Sequence, residues 1–259
     1  MSAATATAGQ VSLVGAGPGD PELLTLKAVR AIGRATVLLI DDLVSDAVLA
    51  FAPPGARVVH VGKRGGCAST PQAFIDKLMA AEALKGEHVV RLKGGDPFMF
   101  GRGGEEAEHL RALGIEVEVI NGITSGLAAV TSLGVPLTHR AHAHGVMFVT
   151  GHARVDGEAL HWPTLAAAAA QGLTLVIYMG VTAIDRLQSG LLQALPASTP
   201  AAVVQHASLP HQRQLVCTLG TLAEQLHNER FGSPAIIIVG DVLLGVNSLP
   251  HPLEAQRVA

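Results

Sequence analysis

The chain has 259 residues, of which 49% are hydrophobic and 15% are charged, and its formal net charge is -3. This length allows one large domain or two smaller ones, each with a buried core. The negative balance argues against a nucleic-acid-binding protein, which has a strong basic excess. Any anionic ligand must therefore be met by locally clustered Arg and Lys side chains.

The first half of the chain alternates short apolar runs with helix-like segments. The strand-like runs are 11–17, 35–41, 56–62, 88–95 and 117–122, and the helix-like segments are Pro21–Ala31, Pro71–Ala83, Glu105–Leu113 and Thr124–Leu133. Continuous apolar strands that alternate with helices predict an α/β fold with a mostly parallel sheet, covered by helices on both faces.

A second series of strand-like runs covers 145–152, 173–180, 201–208, 214–221 and 234–243. The polar segment 135–145 separates the two series, so we place a domain boundary near residue 138. The predicted organisation is a disordered tail (1–10), an N-terminal α/β domain (11–138), a C-terminal α/β domain (139–246) and an irregular tail (247–259). We expect a mostly parallel sheet in each of the two domains.

One stretch, Ala159–Ile184, carries no Lys, Arg, Asp or Glu and has the length of a membrane span. Polar residues and a glycine interrupt it, so it predicts an Ala-rich helix, a turn and a buried strand. The first ten residues lack the basic and apolar regions of a signal peptide. We therefore expect no membrane segment.

The only cysteines are Cys67 and Cys217, which are far apart and form no C-x-x-C pair. This pattern disfavours a disulfide framework or a thiolate metal site, and a reducing cytoplasm is the simplest setting. The histidines of HRAHAH (139–144) have spacing that suits a metal, but no acidic residue or cysteine clusters beside them. A solvated linker is favoured there, and no metal is expected.

The first glycine loop, in VSLVGAGPGD, follows a strand and precedes a helix. A dinucleotide fingerprint would need its third glycine at Asp20, and Pro18 removes one backbone donor from the loop. The loop is therefore either a tight turn or part of a different ligand site.

The second glycine loop, in RLKGGDPFMFGRGGEE, contains no Walker sequence and so gives no support for a nucleotide-phosphate site. Ligands of open parallel sheets bind at the carboxyl ends of the strands. Gly94 and Gly95 would let a bulky group approach the backbone there, and Asp96 can accept hydrogen bonds from an amino group or ribose hydroxyls. Gly101, Gly103 and Gly104 are more typical of a loop that bends into a helix.

Two further strand ends carry charged residues. Asp41 and Asp42 end a strand, where a carboxylate can serve catalysis or simply cap a turn. The turn VGKRGG places Lys63 and Arg64 at another strand end, which suits substrate carboxylates or an ordinary basic turn.

Six motifs occur in the order seen in the tetrapyrrole methylases: VSLVGAGPGDPELLTLKA, VGKRGG, RLKGGDPFMFGRGGEE, NGITSGLAAVTSLGVPLTHR, YMGV and SPAIIIVGDV. The chain resembles this family from about Val11 to Val246. The resemblance implies two α/β domains with the active site in the cleft between them, and a homodimer.

The resemblance also implies an activity. S-adenosylmethionine would donate methyl groups to C2 and C7 of uroporphyrinogen III, giving precorrin-2 and S-adenosylhomocysteine without a metal. A sister C-methyltransferase that acts on a later corrinoid intermediate is the alternative enzyme, and a ligand-binding regulator on the same scaffold is the non-enzymatic alternative.

The resemblance transfers residue roles by position. The family's donor contacts fall on Pro18, Gly94, Gly95, Asp96, Met99, Thr124, Ser125, Met179, Ala207 and Ala235. Its general base and proton donor fall on Asp41 and Lys63. Our candidates for binding the substrate carboxylates are Arg64, Arg102, His139, Arg140 and Arg213, whereas Arg91 and Lys93 lie deeper in their strand.

Two departures from the family pattern stand out. Ile40 replaces the tyrosine that usually precedes Asp41, and QHAS (205–208) replaces a more typical Glu-Asn segment. The second departure weakens the assignment of Ala207.

Overall fold

The structure is a computed structural model that describes residues 9–62, 70–152 and 160–248. The chain divides into two compact units, Met1–Ser125 and Gly126–Ala259. Each unit is built around its own five-stranded sheet.

The first unit contains a fully parallel sheet. Its strands are β1 (Val11–Gly15), β2 (Val37–Ile40), β3 (Arg57–His60), β4 (Val89–Lys93) and β5 (Val117–Ile120), in the order β3-β2-β4-β1-β5. Every pairing is parallel, as the apolar runs predicted. The carboxyl ends of all five strands therefore lie along one edge of this sheet. We call this edge of the first unit's sheet the first carboxyl edge.

The helices of the first unit are α1 (Leu26–Ile32), α2 (Gln72–Leu84) and α3 (Gly103–Ala112). A fourth helix, α4 (Ser125–Ser132), crosses the division between the units. Consecutive side chains of a strand point to opposite faces of the sheet, so they pack into two different hydrophobic clusters. Leu13 packs with α2 and α3 residues, and Val14 packs with α1 residues, so both faces of the sheet are covered.

The helix predicted over Pro21–Ala31 is in fact interrupted. A short 3₁₀ turn at Pro21–Leu23 is followed by extended backbone, and α1 then begins with its own cap. The Thr25 hydroxyl accepts a hydrogen bond from the Ala28 N–H at 3.1 Å. This side-chain cap is typical of a helix start, and it explains why the two segments are separate.

The second unit contains a mixed sheet. Its strands are β6 (Gly145–Thr150), β7 (Leu173–Tyr178), β8 (Pro200–Gln205), β9 (Arg213–Thr218) and β10 (Ala235–Val239), and its helices are α5 (Trp162–Ala169), α6 (Ile184–Leu191) and α7 (Leu222–Asn228). The strand order is β6-β7-β10-β8-β9.

The prediction of a mostly parallel sheet is wrong for this second unit. Only β6 and β7 pair in parallel, while the other three pairings are antiparallel. The last strand, β10, inserts between β7 and β8, and β9 folds back directly on β8. A buried antiparallel strand is as continuously apolar as a parallel one, so its sequence does not reveal its direction.

The uncharged stretch at 159–184 contains α5 and then β7, as predicted. Within the described ranges, no helix is both long and apolar enough to cross a membrane. The predicted domain boundary near residue 138 lies in the loop between α4 and β6.

Candidate functional site

Three glycine-containing loops meet at the first carboxyl edge. The Gly17 N–H donates to the Gly95 carbonyl at 3.2 Å, and the Gly95 N–H donates back to the Gly17 carbonyl at 2.7 Å. A Cβ atom on Gly15 would lie 2.5 Å from the Gly122 nitrogen and 2.7 Å from the Gly95 oxygen. The loops after β1, β4 and β5 therefore touch backbone to backbone, and this contact requires glycine.

Asp96 connects two of these loops. One of its carboxylate oxygens accepts a hydrogen bond from the Phe98 N–H at 2.8 Å. The other accepts from the Asn121 side-chain amide and from the Gly122 N–H, each at 3.1 Å. One oxygen of Asp96 thus stabilises its own loop after β4, and the other holds that loop against the loop after β5. Its predicted contact with a ligand stays a prediction.

The other predicted donor contacts of the first unit lie at the same edge. Pro18 follows Gly17, and the Met99 N–H donates to the Asp96 carbonyl at 3.2 Å. Thr124 is buried, and a Cβ on Gly95 would lie 3.6 Å from its Cα. Ser125 follows Thr124 as the first residue of α4. Residues that are far apart in the sequence are therefore neighbours here.

A cluster of four charged residues, which we call the ionic cluster, lies beside these loops: Asp41, Arg91, Lys93 and Glu106. The Arg91 guanidinium donates to Asp41 Oδ1 at 2.5 Å and to Glu106 Oε1 at 3.2 Å. The Lys93 ammonium lies 3.0 Å from Glu106 Oε2 and 3.8 Å from Asp41 Oδ2. Arg91 and Lys93 belong to β4, Glu106 lies in the first turn of α3, and Asp41 follows β2.

Burial differs sharply within the ionic cluster. The side chains of Arg91, Lys93 and Glu106 are 2%, 4% and 0% exposed, whereas that of Asp41 is 29% exposed. Burial lowers the pKa of Lys93, and the neighbouring Arg91 charge lowers it further, while Glu106 and Asp41 raise it. Asp41 is thus the member of the cluster that reaches solvent.

Arg91 and Lys93 were expected to lie deeper in their strand, but neither they nor Glu106 were predicted to form part of a site. A signal was present, because residues two apart on a strand point to the same face. Two cations on one face of a strand that is otherwise made of Val and Leu require a buried carboxylate nearby. The partner came from α3, which the sequence pattern could not place against β4.

The predicted substrate-binding residues of the first unit do not present a free cation at the first carboxyl edge among the residues that the structure describes. Arg102 adopts a left-handed backbone with φ 59° and pairs with Glu105, at 2.6 Å between their side-chain atoms. Both side chains are largely exposed, so Arg102 would have to exchange this partner for a substrate carboxylate. Lys63 and Arg64 lie outside the described residues.

Three predicted donor contacts of the second unit also lie together. Met179 follows β7, Ala207 lies just beyond β8, and Ala235 begins β10. Tyr178 pairs with Ile236, and Gln205 pairs with Ala235, so all three positions share one edge of the second sheet. Met179 is exposed and has a positive φ of 53°.

Arg213 reaches this same edge, since it pairs with Gln205 across β8 and β9. Its guanidinium stacks over the Phe231 ring at 4.3 Å and donates to the Glu229 carbonyl at 2.9 Å. His139 and Arg140 lie in the loop that enters β6. The parallel pairing of β6 and β7 places that loop at the opposite edge from Met179.

The histidines of the 139–144 loop lie at the surface. His139 stacks on His142 with ring centroids 4.7 Å apart, and the side chains are exposed. Among the residues that the structure describes, no group of three His, Cys, Asp or Glu side chains is arranged to hold a metal ion.

A parallel sheet whose glycine loops meet beside a partly exposed carboxylate is typical of α/β enzymes that bind a small molecule at the strand ends. The chain belongs to the tetrapyrrole methylase family, since residues 10–223 match the family model for Tetrapyrrole (Corrin/Porphyrin) Methylases.

Relatives of known name cover nearly the whole chain. It is 50% identical over 248 residues to the uroporphyrinogen-III C-methyltransferase of Pseudomonas aeruginosa, covering 95% of this chain and 99% of that one. It is 47% identical to a siroheme synthase of Actinobacillus pleuropneumoniae, covering 91% of this chain but 48% of that longer protein.

The chain is also similar in structure to solved members of this family. The crystal structure of a uroporphyrin-III C-methyl transferase from Thermus thermophilus, complexed with S-adenyl homocysteine, matches with a TM-score of 0.77. The two proteins are 41% identical, and the match covers 91% of this chain and 99% of that one.

Proposed function

We propose that this protein transfers methyl groups from S-adenosylmethionine to C2 and C7 of uroporphyrinogen III, giving precorrin-2 and S-adenosylhomocysteine. The observation that carries the proposal is the 50% identity to the uroporphyrinogen-III C-methyltransferase of Pseudomonas aeruginosa, in an alignment that covers 99% of that relative. The solved relative that is complexed with S-adenyl homocysteine supports the choice of methyl donor.

Tight backbone turns at the first carboxyl edge support the assignment of a donor site there, since open parallel sheets bind ligands at this edge. A Cβ on Gly94 would lie 2.7 Å from the Leu43 Cβ, so glycine lets the loop pass close to Leu43. Gly95 adopts a positive φ of 69°, which favours glycine, and its N–H and carbonyl both pair with Gly17. We assign these two residues, together with Pro18, Met99 and Thr124, to donor binding.

The donor, when bound, supplies a methyl group on a positively charged sulfur. The transfer is an in-line displacement, so the main task of these residues is to align the donor with a substrate carbon. Because the loops are joined backbone to backbone through Gly17 and Gly95, they can hold that alignment without side-chain rearrangement. Met179, Ala207 and Ala235 stay predicted donor contacts.

Asp41 is our candidate for the catalytic carboxylate. Methylation of a pyrrole carbon leaves positive charge on the ring until a proton is lost. The Asp41 carboxylate is 29% exposed and is held by the buried Arg91 guanidinium, so it can stabilise that charge or accept the proton. The sequence and the geometry support both roles equally.

The test of this assignment compares Asp41→Asn with the wild type under anaerobic conditions. We expect kcat to fall about 100-fold or more, the usual range for a lost acid–base group. The affinity for S-adenosylhomocysteine should stay unchanged, because Asp41 does not belong to the glycine loops. Asp46→Asn, an exposed aspartate after the same strand, is the matched control and should keep full activity.

Equal losses of turnover and donor affinity in Asp41→Asn would instead indicate a structural role. A substrate panel that includes later corrinoid intermediates distinguishes the proposed reaction from that of a sister enzyme. Binding of both ligands without any methyl transfer would favour a regulator.

We also propose that two copies of the chain form the active assembly, which the resemblance to the family supports. Sedimentation equilibrium at micromolar concentration should then give twice the mass of one chain. A single-chain mass that persists as the concentration rises would contradict this.

A further inference from the structure

The ionic cluster connects a fully buried carboxylate to the one that reaches solvent. Glu106 is 0% exposed and contacts both Arg91 and Lys93, and these two cations in turn contact Asp41. Glu106 lies too deep to touch a substrate. It therefore acts on the exposed carboxylate only through the two cations.

Arg91 has little freedom to move. Its Nε donates to Glu106, one terminal nitrogen donates to Asp41, and the other donates to two carbonyls, Leu39 at 3.4 Å and Leu92 at 3.2 Å. Every nitrogen of the guanidinium is engaged. A guanidinium held in this way fixes the position of the carboxylate oxygen that it binds.

Glu106 is itself held from two sides. Lys93 Nζ donates to Glu106 Oε1 at 3.1 Å, and the Gln72 side-chain amide donates to the same oxygen at 3.0 Å. The amide of Gln72 also reaches Asp76 at 2.9 Å, which ties α2 to the arrangement. The anchor of the ionic cluster is thus built from β4, α2 and α3.

The charges of the cluster balance as a unit. Two buried cations face two carboxylates, and a buried charge is tolerated only when it is paired. Removing the charge of Glu106 would leave Arg91 and Lys93 with Asp41 as their remaining carboxylate partner in the cluster. Both cations would then draw Asp41 inward, away from the position it holds at the strand end.

We propose that Glu106 and Lys93 are positioning residues, which orient Arg91 and thereby hold the Asp41 carboxylate at the first carboxyl edge for methyl transfer. This inference rests on the proposed function, in which Asp41 faces the substrate. It adds a buried support that acts on turnover without contacting donor or tetrapyrrole.

The first test is Glu106→Gln, which keeps the shape and the acceptor oxygen but removes the charge. We expect kcat to fall about 10- to 100-fold, the effect of displacing a reacting group by about 1 Å. KM and the affinity for S-adenosylhomocysteine should change less than about twofold. Lys93→Arg, which keeps the charge, should retain more activity than Lys93→Met.

The chain offers a matched control in Glu82. This glutamate is also buried, at 4% exposed, and also pairs with an arginine and a lysine, Arg57 and Lys85. Arg57 begins β3 at the edge opposite Asp41. Glu82→Gln should therefore lower stability without lowering kcat, because it breaks similar ion pairs away from the site.

The decisive test is a double-mutant cycle with Asp41→Asn. If Glu106 acts through Asp41, then Glu106→Gln will cause no further loss of kcat in the Asp41→Asn background. The same fold loss in both backgrounds would overturn the proposal. If Glu106→Gln fails to fold, Gln72→Leu offers a milder loosening of the same anchor, and its smaller loss must also vanish in the Asp41→Asn background.

The two proposals fail in different ways. If the wild-type protein transfers no methyl group to uroporphyrinogen III, the proposed function is refuted. If the Asp41→Asn variant keeps full activity, the role of Asp41 is refuted. An inactive Asp41→Asn variant beside a fully active, folded Glu106→Gln variant would refute the positioning role alone.

Discussion

Replacing Gly15 by alanine tests whether the three loops at the first carboxyl edge really depend on direct backbone contact. Gly15 ends β1, between the loop that carries Gly95 and the loop that carries Gly122. The new Cβ would lie 2.5 Å from the Gly122 nitrogen and 2.7 Å from the Gly95 oxygen. Both neighbours are backbone atoms, so no side chain can rotate away to relieve the overlap.

The expected cost is that of overpacking a well-packed region, about 1–3 kcal/mol. For a chain of this length, each kcal/mol corresponds to roughly 2–4 °C in Tm. The overlap should also separate the loops that we assign to the donor. We therefore expect the affinity for S-adenosylhomocysteine to fall at least about tenfold, which corresponds to about 1.4 kcal/mol.

Gly104→Ala is the matched control for this change. Gly104 lies in the first turn of α3, and a Cβ there would meet no atom within 4 Å. Alanine is a better helix former than glycine by about 0.5–1 kcal/mol. The same substitution should therefore stabilise the protein slightly at Gly104 and destabilise it at Gly15.

The assay must report on the first unit separately. The only tryptophan and the only tyrosine, Trp162 and Tyr178, both belong to the second unit, so intrinsic fluorescence follows that unit. The stability of the first unit is measured by hydrogen exchange of peptides from β1, β4 and β5 at increasing urea concentrations. Titration calorimetry with S-adenosylhomocysteine measures the donor site.

Wild-type protection and wild-type donor affinity in Gly15→Ala would refute the argument from backbone contact. A loss of stability with unchanged affinity would leave the packing argument intact, but it would contradict the assignment of these loops to the donor.

Two further predictions concern titrating groups. Burial lowers the pKa of His88 from 6.5, and the neighbouring Arg34 charge lowers it further. The unfolded chain then binds a proton more readily than the folded one, so stability falls as pH drops below about 6.5. His88→Gln should therefore lose less stability than the wild type between about pH 7 and pH 5, measured by urea unfolding. Burial, together with the smaller effect of the Glu229 charge, raises the pKa of Cys217 to about 11. In a Cys67→Ser background, alkylation of folded protein should stay slow at neutral pH and should rise only as the pH approaches that value, whereas urea-unfolded protein should react near the ordinary thiol pKa.

Each of these predictions has a clear contrary outcome. Identical acid sensitivity in the wild type and His88→Gln would show that this histidine does not contribute to acid unfolding. Equal alkylation rates for folded and unfolded protein at pH 8 would show that the Cys217 thiol is not shielded.

The positions of the strands could be predicted well from the sequence. All ten predicted runs overlap a strand, because short β-branched runs bounded by glycine or proline are strongly typical of strands. The direction of the strands in the second sheet could not be predicted. It depends on where β10 inserts between β7 and β8, which is a long-range pairing that local apolar pattern does not encode.

The candidate site was predictable in part. That the strand-end glycines and Asp41 lie at one edge was predictable, because parallel strands end together. The catalytic role of Asp41 came from the family resemblance and stays a prediction. The hydrogen bonds that Asp96 accepts from Asn121 and Gly122 were not predicted, because they depend on the loop after β5 lying against the loop after β4. Glu106 was not predicted as part of the site, because its burial depends on how α3 packs on the sheet.

The most direct test of the central claim is an anaerobic single-turnover reaction. Purified protein is mixed with uroporphyrinogen III and methyl-labelled S-adenosylmethionine, and the tetrapyrrole products are resolved by mass spectrometry. The account predicts a monomethylated species that is followed by a product with two labelled methyl groups, while Asp41→Asn binds S-adenosylhomocysteine normally and forms neither at a comparable rate. Unlabelled tetrapyrrole after full incubation of active, donor-binding protein would contradict it.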